Sequence, residues 1–259
     1  MENIYFSSTL LWHESVEQVV RQAASDQLPG IEIWAPHVFI QESDPRIIRK
    51  TKPTEMQFTM HAPSWDLNIT SIDYSVRIAS VNSIIQSIEL ADKLNADSIT
   101  IHPGYKSLAN WTQTFYEELM QEALYWIYQR AGELGKRISL ELMEERPKEV
   151  AVTPDVMNKL VQPFSDMYTT FDVAHITKPS DAPLFFNQMN RCDKIHISDN
   201  TAAQMHVPLG TGLIPEEVLQ HFLQQNQKNV VEGMDTTSVS WNQNLSFIRQ
   251  HLQAKERVI

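Results

Sequence analysis

The sequence predicts a (β/α)8 barrel, and three observations carry that expectation. Short β-branched runs alternate with longer amphipathic ones from one end of the chain to the other. Eight such strand candidates are near-evenly spaced over 259 residues, about the length one barrel needs. No GxGxxG or GxxxxGK[ST] fingerprint occurs, which counts against the alternative, a doubly wound open sheet built around a nucleotide. With seven glycines, no Pro/Ser-rich linker and no low-complexity segment, residues 1–259 read as a single domain.

In order, the strand candidates are "NIYFSSTLL", "GIEIWA", "QFTMHAP", "DSITIHPG", "RISLELM", "MYTTFDVAH", "DKIHISD" and "NVVEGMD". Between them lie the helical patterns "SVEQVVRQAASDQ", "SVRIASVNSIIQSIELADKLN", "TQTFYEELMQEALYWIYQRAGELG", "TPDVMNKLVQPF" and "IPEEVLQHFLQQN". Thr153-Pro154 and Ile214-Pro215 put proline in a first turn, and Gly135 follows a helix end. In the longest pattern Phe115, Leu119, Ala123, Trp126 and Ile127 recur at helical spacing and are expected in the core.

Hydrophobic residues make up 42% and charged residues 20%, the balance of a globular protein. No apolar run approaches the roughly 18 residues a membrane helix needs. The opening "MENIYFSSTLLWHESVE" has Glu2 where a signal peptide has cations. The one cysteine, Cys192, excludes an internal disulfide, suits a reducing cytoplasm and is expected to pack in the interior. The formal charge is −11 and no Lys/Arg run is visible, which argues against a nucleic-acid partner. The expectation is a cytoplasmic protein with a small-molecule substrate, with homo-oligomerisation left open.

Ionisable residues recur where the strand candidates end. They are His61 in "TMHAP", His102 in "TIHPG", Glu141 in "ISLELM", Asp172 and His175 in "TTFDVAH", His196 in "KIHISD" and Glu232 in "VVEGMD". In a barrel these ends converge on one mouth. A carboxylate in a run as apolar as "ISLELM" is costly to bury unless it meets a cation or a metal. Imidazoles and carboxylates without thiolates suit zinc, manganese or a similar divalent ion. Glu141, Asp172, His196 and Glu232 supply four ligands for one ion. His61 and His102 would hold a second, with Glu141 as the bridge, so one or two ions per chain are expected.

Taken in order, "HAP", "HPG", the fifth-strand Glu, "DxxH", "HxxD", "HxPLGxG" and the eighth-strand Glu resemble the xylose isomerase-like barrel superfamily, which includes sugar phosphate isomerases, epimerases and endonuclease IV. Its ketose epimerase branch implies one metal on Glu141, Asp172, His196 and Glu232. There the two glutamates exchange the proton on opposite faces of an enediolate. The endonuclease branch implies a first zinc on His61, His102 and Glu141, and a second on Glu141, Asp172, His196 and Glu232. A third would lie on His175 and His206, with an aspartate two residues before the latter. Gln204 stands at that position, and a neutral amide is a poor substitute for a carboxylate, so the third site is expected to be weak or empty. No arginine follows "HISDN", where some epimerases anchor a ketose hydroxyl.

The resemblance therefore implies a metal-dependent sugar, sugar phosphate or polyol isomerase or epimerase, with Glu141 and Glu232 as proton carriers. Its competitors are an abasic-site endonuclease, a related dehydratase and an inactive metal-binding homologue. Supporting parts are assigned to the remaining polar and aromatic residues near the strand ends. Glu32 in "GIEIW" would buttress a ligand or a substrate hydroxyl, and Asp199 would orient a neighbouring histidine. Trp65, Trp111 and Tyr105 would wall a sugar ring, and Lys106 and Arg146 are the nearest cations for a phosphate.

Overall fold

The computed structural model describes residues 1–233 and 238–253. Its eight strands are β1 (Ile4–Ser7), β2 (Gly30–Trp34), β3 (Gln57–His61), β4 (Ser98–Ile101), β5 (Arg137–Glu141), β6 (Met167–Asp172), β7 (Cys192–Ile197) and β8 (Lys228–Val231). All neighbours pair in parallel, and β8 closes onto β1, making the predicted barrel. Met234 and Asp235, the end of the eighth strand candidate, lie outside the described residues.

Nine helices surround the barrel among the described residues. They are α1 (Val16–Ser25), α2 (Ala35–Ile40), α3 (Pro45–Thr51), α4 (Tyr74–Leu94), α5 (Gln113–Glu133), α6 (Pro154–Val161), α7 (Ala182–Gln188), α8 (Glu216–Leu223) and α9 (Ser238–Gln253). The five helical patterns correspond to α1, α4, α5, α6 and α8. Of the four that they miss, α2, α3 and α7 are too short for a helical period to emerge. In α9 the stripe Trp241, Leu245, Ile248, Leu252 is present but diluted by Ser, Asn and Gln. Capping is local and clear: Ser15 and Gln18 form a capping box on α1, and Thr153 caps α6 ahead of Pro154. Gly135 follows α5 at φ +62°.

Side chains alternate along each strand, and the two parities have different destinations. Phe58, Met60, Ile99, Ile101, Ile138, Leu140, Phe171, Ile195 and Ile197 are buried in the apolar layer under the helices. On α5 that layer takes Tyr116, Met120, Ala123, Leu124 and Ile127, whereas Trp126, expected in the core, is 54% exposed. Its side chain projects outward, one residue from the buried stripe. The other parity fills the barrel with polar groups. Thr100 Oγ1 lies 3.4 Å from Thr170 Oγ1, and Thr170 Oγ1 lies 2.7 Å from Ser139 Oγ. Two residues further along each strand, the same parity emerges at the mouth. Cys192 opens β7 half-buried, its thiol pushed up to about 12 by burial.

Candidate metal centre

The strand alternation delivers the expected residues to one place. His61, Glu141 and Asp172 end β3, β5 and β6, while His102 and Glu232 immediately follow β4 and β8. Register puts Asp172 beside His196, and His196 beside Val230. Glu141 is the hub: its Oε2 is 3.2 Å from both His61 Nε2 and His102 Nε2, and its Oε1 is 3.3 Å from His196 Nδ1. Glu232 Oε2 is also 3.3 Å from His196 Nδ1, and its Oε1 is 3.0 Å from His206 Nδ1. His175 Nε2 lies 3.4 Å from Asp172 Oδ2.

Three donor groups result, each close enough to share one ion: His61 with His102 and Glu141, Glu141 with Asp172 and His196, and Asp172 with His175 and His206. The carboxylate of the third group is that of Asp172, which the second group shares. Asp172 Oδ2 and His196 Nδ1 are buried with no hydrogen-bond partner, which fits donors that face a cation. His61 Nδ1 donates to the Ala62 carbonyl at 2.7 Å and His175 Nδ1 to that of Leu142 at 2.7 Å, which leaves both Nε2 atoms bare as ligands.

Electrostatics support the same reading. Burial alone would raise Glu141, but His196 and His102 hold it well below the usual carboxylate range. Glu232 is likewise lowered to about 2 by His196 and His206 against the effect of burial. Burial pushes Asp172 up to about 7 despite the pull of His175, with Glu232 and Glu141 adding to the rise. Burial would depress His206, yet Glu232 and Asp172 raise it to about 9, and His196 rises well above its usual value beside Glu141 and Glu232. His102 is lowered by burial.

His206 and His196 thus hold their protons more tightly than free imidazoles do, whereas a ligating nitrogen must be bare. Adding zinc at pH 7.5 in weak buffer should therefore release about one proton per ion or more, read with a pH indicator dye. No acidification would remove His196 and His206 from the ligand set. The folded value of His206 lies above its unfolded one, near 6.5. Its contribution to metal-free stability is thus complete below pH 6.5 and lost as pH rises through about 9.

Above the donors lies a cleft of about 640 Å³, lined by Thr9, Trp34, Ser64, Trp65, Arg146 and residues 201–206 besides the ligating groups. Trp34 stacks on His61 with centroids 4.0 Å apart, and Trp65 lies 5.0 Å from Trp34, so the two indoles line one side of the cleft together. Trp111 instead packs on Phe115 away from the cleft. Tyr105 pairs its backbone with Glu149, and Lys106 is anchored by its backbone to Lys148, so neither lines the cleft. Arg146 does line it, tied to Glu144 at 2.8 Å.

Asp199 departs from expectation. No histidine partners it; its carboxylate accepts from the backbone N–H groups of Asn200, Gly210, Gly212 and Ile214. Glu32 places Oε1 2.8 Å from His196 Nε2. Its partner on the other side is Lys194, whose one sequence signal is that it shares the parity of His196 two residues later.

Comparison with known proteins adds three likenesses. An uncharacterised protein of Methanocaldococcus jannaschii is 26% identical over 212 residues, covering 78% of this chain and 69% of that protein. The probable endonuclease 4 of Sulfurihydrogenibium sp. is 22% identical over 216 residues, covering 76% and 77% respectively. A solved D-tagatose 3-epimerase-like protein superposes with a TM-score of 0.82 at 21% identity, covering 99% of this chain and 100% of that one; at that identity the likeness shows the fold alone. A family model described as the xylose isomerase-like TIM barrel matches residues 20–250. With a closed eight-stranded parallel barrel and a match over most of its length, the chain belongs to the xylose isomerase-like TIM barrel family.

Proposed function

We propose that the protein is a divalent-metal-dependent sugar isomerase or epimerase, acting on a small sugar, its phosphate or a polyol, with Glu141 and Glu232 as the proton carriers. The observation that supports this is convergence: carboxylate oxygens from β5 and from the end of β8 each reach 3.3 Å from the same His196 nitrogen. Two strands, β6 and β7, separate their points of origin around the barrel, so the carboxylates approach the cleft from different directions. That arrangement lets one take a carbon-bound proton and the other return it to the opposite face. A divalent ion on Glu141, Asp172, His196 and Glu232 supplies Lewis-acid polarisation of a carbonyl and its neighbouring hydroxyl. The Trp34–Trp65 wall offers an apolar face for a sugar ring and limits water around the transferring proton.

A second reading, abasic-site cleavage of DNA, has its own support in the outer donor groups, His61–His102 and His175–His206. Against it, Arg146 is the one Lys or Arg side chain among the described lining residues, and it is paired with Glu144. Phosphate contacts on duplex DNA call for many free cations. The two readings part in one pair of assays on zinc- and manganese-loaded protein. In deuterium oxide, proton NMR over a panel of ketopentoses, ketohexoses and their phosphates should show loss of the signal beside the carbonyl and growth of an epimer or isomer. If the whole panel stays unexchanged while an abasic duplex is nicked, the sugar reading is overturned and the nuclease takes its place.

A further inference from the structure

Among the histidines of the donor groups, the three that are fully or nearly buried, His61, His175 and His196, are backed in two different ways. His61 ends its strand and His175 lies in a 3-10 turn, Val173–His175, so each finds a main-chain carbonyl for its Nδ1 proton. His196 is different. It lies within β7, paired on one side with Asp172 and on the other with Val230, so the surrounding carbonyls are committed to the sheet. A side chain must do for His196 what the backbone does for the others.

Glu32 occupies that place. Its Oε1 lies 2.8 Å from His196 Nε2 in an ion-pair contact, and both atoms are buried with no further polar partner. A nitrogen and a carboxylate oxygen at that separation are reconciled by a proton on Nε2. The other oxygen, Oε2, is pinned: Thr59 Oγ1 donates to it at 3.0 Å, and the Lys194 ammonium ion-pairs with it. Lys194 is fully buried and also donates to Thr100 Oγ1 at 2.6 Å. With Oε2 held from two sides, the carboxylate cannot swing, and the position of Oε1 is set. The lysine also balances the buried charge of Glu32.

We propose that Glu32 and Lys194 act as a backing pair for His196: Glu32 holds the proton on Nε2, and Lys194 holds Glu32, so that Nδ1, which faces Glu141, Glu232 and Asp172, is the nitrogen that gives up its proton to ligate. These are positioning residues, and the proposal rests on the metal-centre reading above. Outer partners of ligating histidines typically govern metal affinity by about 10- to 100-fold. A pair that merely filled the barrel would govern folding stability and leave affinity alone.

The test uses the full chain, with zinc affinity measured by competition against a chromophoric chelator. The variants are Glu32→Gln, Lys194→Met and the double variant, which removes both charges at similar volume and so avoids leaving one buried and unpaired. The double variant should bind zinc about 10- to 100-fold more weakly, while its metal-free unfolding stays close to that of the parent. Affinity within about threefold of the parent overturns the proposal. A readout that needs no variant of the pair is the tautomer itself: in 15N-histidine-labelled, zinc-loaded protein, His196 should carry its proton on Nε2 and zinc-shifted Nδ1. The reverse pattern overturns the proposal even if every variant fails to fold. Parent protein that binds no zinc would bring down the metal centre as well, whereas parent and variants binding alike bring down only the backing pair.

Discussion

Glu141→Gln at saturating metal is expected to lower kcat by about 10²- to 10⁴-fold, the usual cost of losing a positioned proton carrier. The substitution keeps the volume of a side chain that is 1% exposed, so packing is not the cause. Chemistry is. The carboxylate faces His61 Nε2 and His102 Nε2 with one oxygen and His196 Nδ1 with the other. An amide presents N–H groups to one of those sides and cannot accept a proton at neutral pH. Part of the damage falls on metal affinity, so the variant must be assayed at metal concentrations where elemental analysis shows full loading. Glu232→Gln is the companion measurement. If each glutamate serves one face of the substrate carbon, each variant should retain deuterium wash-in from one epimer while interconversion collapses. A loaded Glu141→Gln protein with kcat within about tenfold of the parent would remove Glu141 from proton transfer and leave it as a ligand alone.

The donor set was legible because a barrel turns a one-dimensional regularity into a three-dimensional one. Strands that end in His, Glu or Asp are scattered along the sequence, but parallel closure brings all their ends to one rim. What stayed hidden depended on contacts between strands distant in the chain. Lys194 looks like an ordinary surface lysine in "DKIHISD"; only Glu32, 162 positions away, makes it a buried ion pair. Trp34 was passed over for Trp65 because "GIEIWA" reads as plain strand, although its last residue pairs in register with His61. Asp199 was misassigned for a related reason. Next to two histidines in sequence, it looks like their partner, but its carboxylate points back into its own loop. The grouping of Asp172 with His175 and His206 was equally invisible, since it is decided by where β6 ends relative to the loop after β7.

That loop supplies the other large expected effect. Asp199 is fully buried and accepts four backbone N–H groups, those of Asn200 at 2.8 Å and Ile214 at 3.0 Å on Oδ1, and those of Gly210 at 3.1 Å and Gly212 at 2.8 Å on Oδ2. In Asp199→Asn, whichever oxygen becomes the NH2 turns two acceptances into donor–donor clashes. Hydrogen bonds to a charged group contribute about 1.5–3 kcal/mol each, and an unsatisfied buried donor costs a similar amount. A net loss of about 3 kcal/mol is expected, not the sum, because the loop can relax. For a chain of this size that is a fall in Tm of about 6–12 °C by thermal unfolding. The function should suffer with it. The backbone pairing of Asp199 with Val207 leads into His206, which sits at φ 58° and reaches Glu232 at 3.0 Å. A left-handed histidine persists only where its surroundings enforce it, so a loosened loop lets His206 leave Glu232. Gly212→Ala tests the same joint from the other side, because an added Cβ would lie 2.3 Å from both the Asn200 carbonyl and Asp199 Oδ1. If the loop is one cooperative unit, the double variant should lose clearly less than the two singles added together. Strict additivity would mean that Asp199 and Gly212 support separate parts of the structure, and the tie between this loop and His206 would fail.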